Sequence, residues 1–323
     1  MPATTNARAV VELACRAPSV HNTQPWAWRI EKRSLLLFAD RSRQLTVSDP
    51  DGRNLLISCG AALHHAEVAA RGLGLGVEVH RFPDSRDPDL LARFELAPGR
   101  HTPAGDAELE ALESRLTDRR RFTSWPVPPE RLQNLCDAVV NRASLAVPLT
   151  EPATRFTVER LIVRARVLAA EDDRFAAEQQ EWVARTERDG VPATHVPDDE
   201  PRLTRPSRFA DAPPPEPEPD DTSQNVQGTD GVIAVVTRGD GPAQWLDAGE
   251  ALSTIWLRAT RDGVSVVPLS EVIELAETRE ALHHEVFAGG LSPQILLRVG
   301  WQGIAREPLA ATPRRPLDEV LRG

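Results

Sequence analysis

One stretch of this chain repeats another without a gap. Laying Gly60-Ala-Ala-Leu-His-His-Ala-Glu-Val-Ala-Ala-Arg-Gly-Leu-Gly-Leu-Gly-Val77 against Gly249-Glu-Ala-Leu-Ser-Thr-Ile-Trp-Leu-Arg-Ala-Thr-Arg-Asp-Gly-Val-Ser-Val266 makes Gly, Ala, Leu, Ala, Gly and Val coincide. In each copy apolar residues recur at helical spacing, the run closes on glycine, and a β-rich strand follows. A further strand comes later in both, at residues 92–97 and 294–299. Any helix–glycine–strand unit shares part of this pattern, but a gapless match points to duplication. The spacing predicts two pseudo-symmetric halves, residues 1–104 and 105–323. One chain then imitates a two-fold dimer, as a monomer or paired again as a homodimer.

Helical periodicity also covers residues 5–16, 106–119, 129–141 and, as one long helix, 158–185. Residues 27–39 read as a strand or hairpin, 77–82, 232–237 and 264–269 as strands, and 242–260 as a helix. Residues 190–230 are different: nine prolines fall between Pro192 and Pro219, with acidic residues among them. Such a segment buries little apolar area, and an extended loop or lid is expected.

The formal charge of −10 argues against a nucleic-acid or anionic-membrane partner, because phosphate surfaces select an excess of Lys and Arg. Of the 38 basic residues only Lys32 is a lysine. Local positive charge is therefore guanidinium, permanently ionised and able to grip an anion with two bonds. Cys15, Cys59 and Cys136 are odd in number and far apart, which fits a reducing, cytoplasmic compartment better than a disulfide framework or a metal pair. No apolar run approaches membrane-spanning length. The adjacent pairs His64-His65 and His283-His284 point to different helix faces, so no metal site is expected there.

Three segments could carry chemistry. Arg16-Ala-Pro-Ser-Val-His-Asn-Thr-Gln-Pro-Trp26 gathers Ser19, His21, Asn22 and Gln24 on a stiff turn between two prolines. Neutral donors and acceptors held so rigidly suit the edge of a planar heteroaromatic ligand, or else cap backbone groups of a plain connection. Arg115-Leu-Thr-Asp-Arg-Arg-Arg-Phe122 places Arg115 and Arg119 on one expected helical face, either to clamp a phosphate or as a solvated helix end. The tail Pro313-Arg-Arg-Pro-Leu-Asp-Glu-Val320 adds two more guanidiniums. Gly72-Leu-Gly-Leu-Gly76 follows a helix instead of opening one, so it is no dinucleotide fingerprint.

The run Ala17-Pro-Ser-x-x-Asn-x-Gln-Pro-Trp26 after an N-terminal helix resembles the flavin-binding signature of the nitroreductase family. The resemblance implies an α+β fold of nitroreductase type, and FMN contacts for Ser19, Asn22 and Gln24. The arginine-rich stretch ahead of Phe122 and Pro126-Val-Pro128 resembles the start of a nitroreductase unit, which implies Arg115, Thr117 and Arg119 as phosphate ligands. The tail is similar to the family's C-terminal basic segment, implying that Arg314 or Arg315 returns to that phosphate. Asp262-Gly-Val-Ser-Val-Val-Pro-Leu-Ser270 resembles the strand and loop beside the flavin ring; Pro268 has no N–H, which leaves those of Leu269 and Ser270. Together with the duplication, Trp245-Leu-Asp-Ala-Gly-Glu-Ala-Leu252 and Leu296-Leu-Arg-Val-Gly300 resemble the Acg-like branch of the family.

What the resemblance implies is one FMN held between the halves, since Arg142-Ala-Ser-Leu-Ala-Val-Pro148 lacks an amide pair where a second turn would fall. The implied activity is NAD(P)H-dependent hydride transfer through the flavin to a nitro, quinone or other conjugated acceptor. The rival expectation is a non-catalytic protein that sequesters flavin beneath residues 190–230. A third is a scaffold that has lost flavin, to which Leu116, where the family often has a small polar residue or His, would point.

Overall fold

The computed structural model describes residues 3–120, 122–140, 142–185, 188–191, 230–303 and 311–322. The loop or lid expected at 190–230 lies, apart from its two ends, outside the described residues.

Helix α1, Ala3–Ala14, stops ahead of Pro18, and the hairpin of β1, Trp26–Glu31, and β2, Ser34–Ala39, follows. Helix α2, Arg53–Gly72, leads through Gly74, at φ 72°, into β3, Leu75–Arg81, and β4, Leu90–Pro98. Helix α3, Pro103–Ser114, is capped by the Thr102 hydroxyl, which accepts the Gly105 N–H. There follow α4, Pro129–Cys136, β5, Leu145–Pro148, α5, Pro152–Glu171, and α6, Asp173–Ala184. The chain continues with β6, Gly231–Thr237, α7, Pro242–Arg261, β7, Ser265–Leu269, and α8, Glu271–Glu274. It closes with α9, Ala276–Ala281, β8, Ser292–Gly300, and α10, Leu317–Val320.

Two antiparallel four-stranded sheets result, ordered β1-β2-β4-β3 and β5-β6-β8-β7. Each carries a register shift on its second strand, at Leu37/Phe38 and Val235/Val236. Helices α2 and α7 span the same positions of the sequence repeat and cross at its first glycines. An added Cβ on Gly60 would lie 2.0 Å from the Leu246 carbonyl oxygen, and one on Gly249 would lie 1.9 Å from that of Ile57. Ile57 and Leu246 are themselves repeat equivalents, so the contact is the same from both sides, as a two-fold axis demands.

The halves differ in what covers their sheets. One face of the first sheet packs Leu35, Leu37 and Phe94 on α1 and α2; the other keeps a small cluster of Ala27, Leu36 and Phe38. The second sheet is apolar on both faces, with Ile233, Val235 and Leu297 toward α7 and Val232, Ala234 and Leu296 toward α5 and α8. The tail returns to the first half. Val320 is buried in its core, and Leu321 bridges Trp28 in parallel, blunting the β1 edge.

Three expected helices end early. The long helix at 158–185 is two, because Asp172 turns its carboxylate onto the Arg174 and Phe175 N–H groups and starts α6. The helix expected to reach Arg119 stops at Ser114; Arg115 is extended, with ψ 125°, so Arg115 and Arg119 share no helical face. Helix α4 ends at Cys136, short of residue 141.

Candidate functional site

The turn after α1 is built from strained backbone. His21, Asn22 and Gln24 take φ of 45°, 55° and 49°, a left-handed region that costs non-glycine residues about 1 kcal/mol or more each. Hydrogen bonds hold it: Ser19 Oγ accepts the Gln24 N–H at 2.9 Å, and Ser58 Oγ on α2 accepts the Val20 N–H at 3.2 Å. In the second half Asp247, the repeat equivalent of Ser58, accepts the Ser144 N–H at 2.6 Å. The connection there carries no buried amide pair.

Asn22 and Gln24 are buried, and both amides are engaged by protein. Asn22 Nδ2 donates to the carbonyls of Gly190 at 2.9 Å and Pro313 at 3.0 Å, and its Oδ1 accepts from Arg314 at 3.1 Å. Gln24 Nε2 donates to the Arg188 carbonyl at 3.0 Å, while its Oε1 accepts the Arg315 N–H at 2.9 Å. Residues 188–191 thus dock on the turn as an arm extending from α6. Arg43 locks it by donating to the Thr23 carbonyl and pairing with Asp189, and Trp182 stacks beneath Arg43. Gly190 is obligatory there: its φ is 76°, and a Cβ would lie 2.3 Å from the Trp182 carbonyl oxygen.

Beside the turn the C-termini of α1 and α3 meet, and three arginines converge. Arg115 donates to the Arg16 carbonyl at 3.0 Å; Arg314 reaches the same oxygen at 3.1 Å and that of Cys15 at 2.9 Å. Arg16 donates back to the Glu113 carbonyl at 2.7 Å. Helix C-termini offer about half a negative charge each, short of three full cations. Among the described residues no carboxylate pairs with Arg16, Arg115 or Arg314. Arg115 is 8% exposed, stacks 4.8 Å over the Trp256 ring, and leaves its Nε and Nη1 donors without a partner. Burial, with Arg314 and Arg16 nearby, pushes its pKa down to about 9, and burial brings Arg314 down to about 10. Unmatched buried donors and surplus positive charge of this kind favour an anion.

The pseudo-equivalent position is neutralised. Glu67 stands where the repeat has Trp256, and Arg81 pairs with it at 2.9 Å. Glu250, completely buried, takes Arg81 at 2.6 Å and Arg142 at 2.5 Å.

The structure therefore brings Ser19, Asn22, Gln24, Arg115, Arg314 and Arg315 together. Thr117 and Arg119 are half-buried on the extended stretch after α3, where Asp118 takes the Arg120 guanidinium. Leu269 ends β7 and Ser270 precedes α8, whose Glu274 accepts from Asn54 of α2 at 3.2 Å; no hydrogen bond among the described residues ties Leu269 to the turn. Sequence reasoning missed Arg16, Trp256 and the arm. His64 and His65 both set Nδ1 on Ser253 Oγ, at 2.8 and 2.9 Å, across the contact of α2 with α7. The repeat alignment held that signal, since His64 falls on Ser253.

No protein-family profile matches the chain. Curated relatives span nearly all of it. "Putative NAD(P)H nitroreductase Rv3131" of Mycobacterium tuberculosis is 39% identical over 315 residues, covering 97% of this chain and 90% of the relative. "Putative NAD(P)H nitroreductase acg" of the same organism is 32% identical over 320 residues, covering 97% and 94%. A solved nitroreductase with bound FMN from Bacteroides fragilis aligns with a TM-score of 0.39 at 13% identity, over 64% of this chain and 94% of that one. On the strength of the two mycobacterial relatives, this chain belongs to the nitroreductase family, in the branch that includes acg.

Proposed function

We propose that the chain binds one FMN between its halves, residues 1–104 and 105–323, and transfers hydride from NAD(P)H to a nitro, quinone or other conjugated acceptor. The observation that carries this reading is the buried arginine cluster with surplus charge on one side of the pseudo-two-fold axis, against its neutralised counterpart on the other. A phosphate monoester fits the orphaned Arg115 donors, and one such cluster among the described residues supports one flavin per chain. Arg115, Arg314 and Arg16 hold the phosphate; Ser19 keeps the turn in shape; Thr117, Arg119, Leu269, Ser270 and Arg315 are the remaining candidate contacts of the flavin. When bound, FMN would supply the redox chemistry of hydride transfer. The protein contributes orientation, exclusion of water and a positive field, and no side chain acts as acid or base.

Titration with FMN followed by desalting is expected to leave one equivalent of flavin absorbance per chain. Two equivalents, or none, would sink this reading.

A second reading, a non-catalytic flavin holder, is favoured by one observation: residues 188–191 already occupy both amides of the turn. Gly190→Val separates the two, because it unseats the arm and leaves Asn22 and Gln24 intact. Faster proteolysis within residues 185–191 is expected of it. If the arm covers the flavin, NADPH oxidation with a quinone should rise at least about fivefold; an unchanged rate with a detached arm favours an open site.

A further inference from the structure

His65 is completely buried, and its Nδ1 lies 3.0 Å from the Ala61 carbonyl oxygen and 2.9 Å from Ser253 Oγ. A carbonyl can only accept, so Nδ1 carries the proton and Nε2 is a bare lone pair. That Nε2 has no partner. Ser253 and Trp256 lie three residues apart on one face of α7, and Trp256 is the ring beneath Arg115, whose Nε and Nη1 are also unmatched. An orphaned acceptor and orphaned donors, on side chains that touch neighbouring residues of one face of α7, call for a ligand that accepts from arginine and donates to histidine. The surplus of guanidinium charge makes that ligand an anion.

We propose that His65 is a positioning residue for the phosphoryl group, binding it with one proton held between a phosphoryl oxygen and Nε2, so that association takes up a proton from water. This rests on the flavin reading above. A phosphate monoester is mostly dianionic at neutral pH, its second pKa being about 6. With Nδ1–H committed to Ala61, the dianion meets a lone pair unless a proton enters with it. The charged and titratable groups around His65 are Arg115 beyond α3, Arg314 of the tail and His64 on its own helix, with Arg16 beside both arginines, neutral Cys15 beside Arg314, and Glu250 held by Arg81 and Arg142. Burial and the arginines keep the ring neutral without a ligand. A bound dianion reverses the sign of that field.

The test is calorimetric titration of the full chain with FMN, riboflavin and inorganic phosphate, in buffers of different ionisation enthalpy at pH 6.5 and 8. For FMN we expect close to one proton taken up per molecule at pH 8 and a Kd at least about tenfold tighter at pH 6.5. Riboflavin, without phosphate, should show neither. His65→Gln brings its own N–H to the dianion, and its FMN affinity should change less than about twofold between the two pH values. FMN binding without proton uptake overturns the role of His65 while the flavin reading survives. The same uptake in wild type and His65→Gln also overturns it, since the proton would then belong to the phosphate alone. Inorganic phosphate bound with proton uptake while FMN fails to bind keeps the anion pocket and ends the flavin reading. Binding of neither ends both. Wild-type uptake is measured independently, so the proposal stays falsifiable even if the variant misfolds.

Discussion

Adding one methyl group at Gly249 is expected to lower stability by roughly 4 kcal/mol, enough to leave little soluble protein. The new Cβ would fall 1.9 Å from the Ile57 carbonyl oxygen and 2.9 Å from the Gly60 Cα. Both obstacles are backbone of a buried helix, so relief requires α2 and α7 to move apart. Those helices join the two cores, and every contact along the crossing would loosen together. Gly60→Ala should behave alike, with its Cβ 2.0 Å from the Leu246 carbonyl oxygen. The double variant should cost less than the sum, because one separation relieves both clashes. Gly263→Ala is the control: its φ is 68° and nothing lies within 4 Å of the added Cβ, so only the left-handed conformation is penalised, by about 1–2 kcal/mol. Urea denaturation measures all four. A loss under about 1 kcal/mol at Gly249 would mean that the crossing is not close-packed.

The repeat behind that crossing was legible before any coordinates; that its first glycines meet each other in space was not. The turn was legible as well: prolines and short polar side chains are the residues that accept its backbone angles. What holds the turn was not. Asn22 and Gln24 are bound by the carbonyls of Arg188, Gly190 and Pro313, and backbone oxygens leave no mark in a side-chain pattern. Residues 190 and 191 also lie at the start of a run whose composition reads as unpacked chain, although Val191 is 1% exposed. The helix ends failed for a related reason. Asp172 and Arg115 are both compatible with continuing a helix, and it is local capping at Asp172 and the meeting of two helix ends at Arg115 that stop it. Arg16 and His65 carried no pattern of their own, since their part depends on side chains far away in the chain.

Arg115→Met is expected to weaken FMN binding about a hundredfold, leave riboflavin binding unchanged, and hold or raise the melting temperature of the ligand-free protein. The first effect follows from losing charge-assisted hydrogen bonds to a desolvated phosphate, worth together about 2–3 kcal/mol. The second follows from riboflavin lacking that phosphate. The third separates a binding residue from a merely structural one. A buried cation with two unmatched donors and other guanidiniums beside it is unfavourable until an anion arrives, and Met keeps the stem packed on Trp256 without the charge. Arg142→Met in the pseudo-equivalent cluster should do the reverse. It leaves completely buried Glu250 with Arg81 in place of two arginines, and about 2 kcal/mol of stability should go while FMN affinity stays. Thermal melts with and without 100 μM FMN, roughly a saturating level, read both variants in one experiment. If Arg115→Met destabilised the ligand-free protein as much as Arg142→Met does, its guanidinium would be a helix cap and no more. The same substitution at two arginine clusters on either side of the repeat thus tests whether the unpaired charge of one serves a ligand while the carboxylates of the other neutralise it.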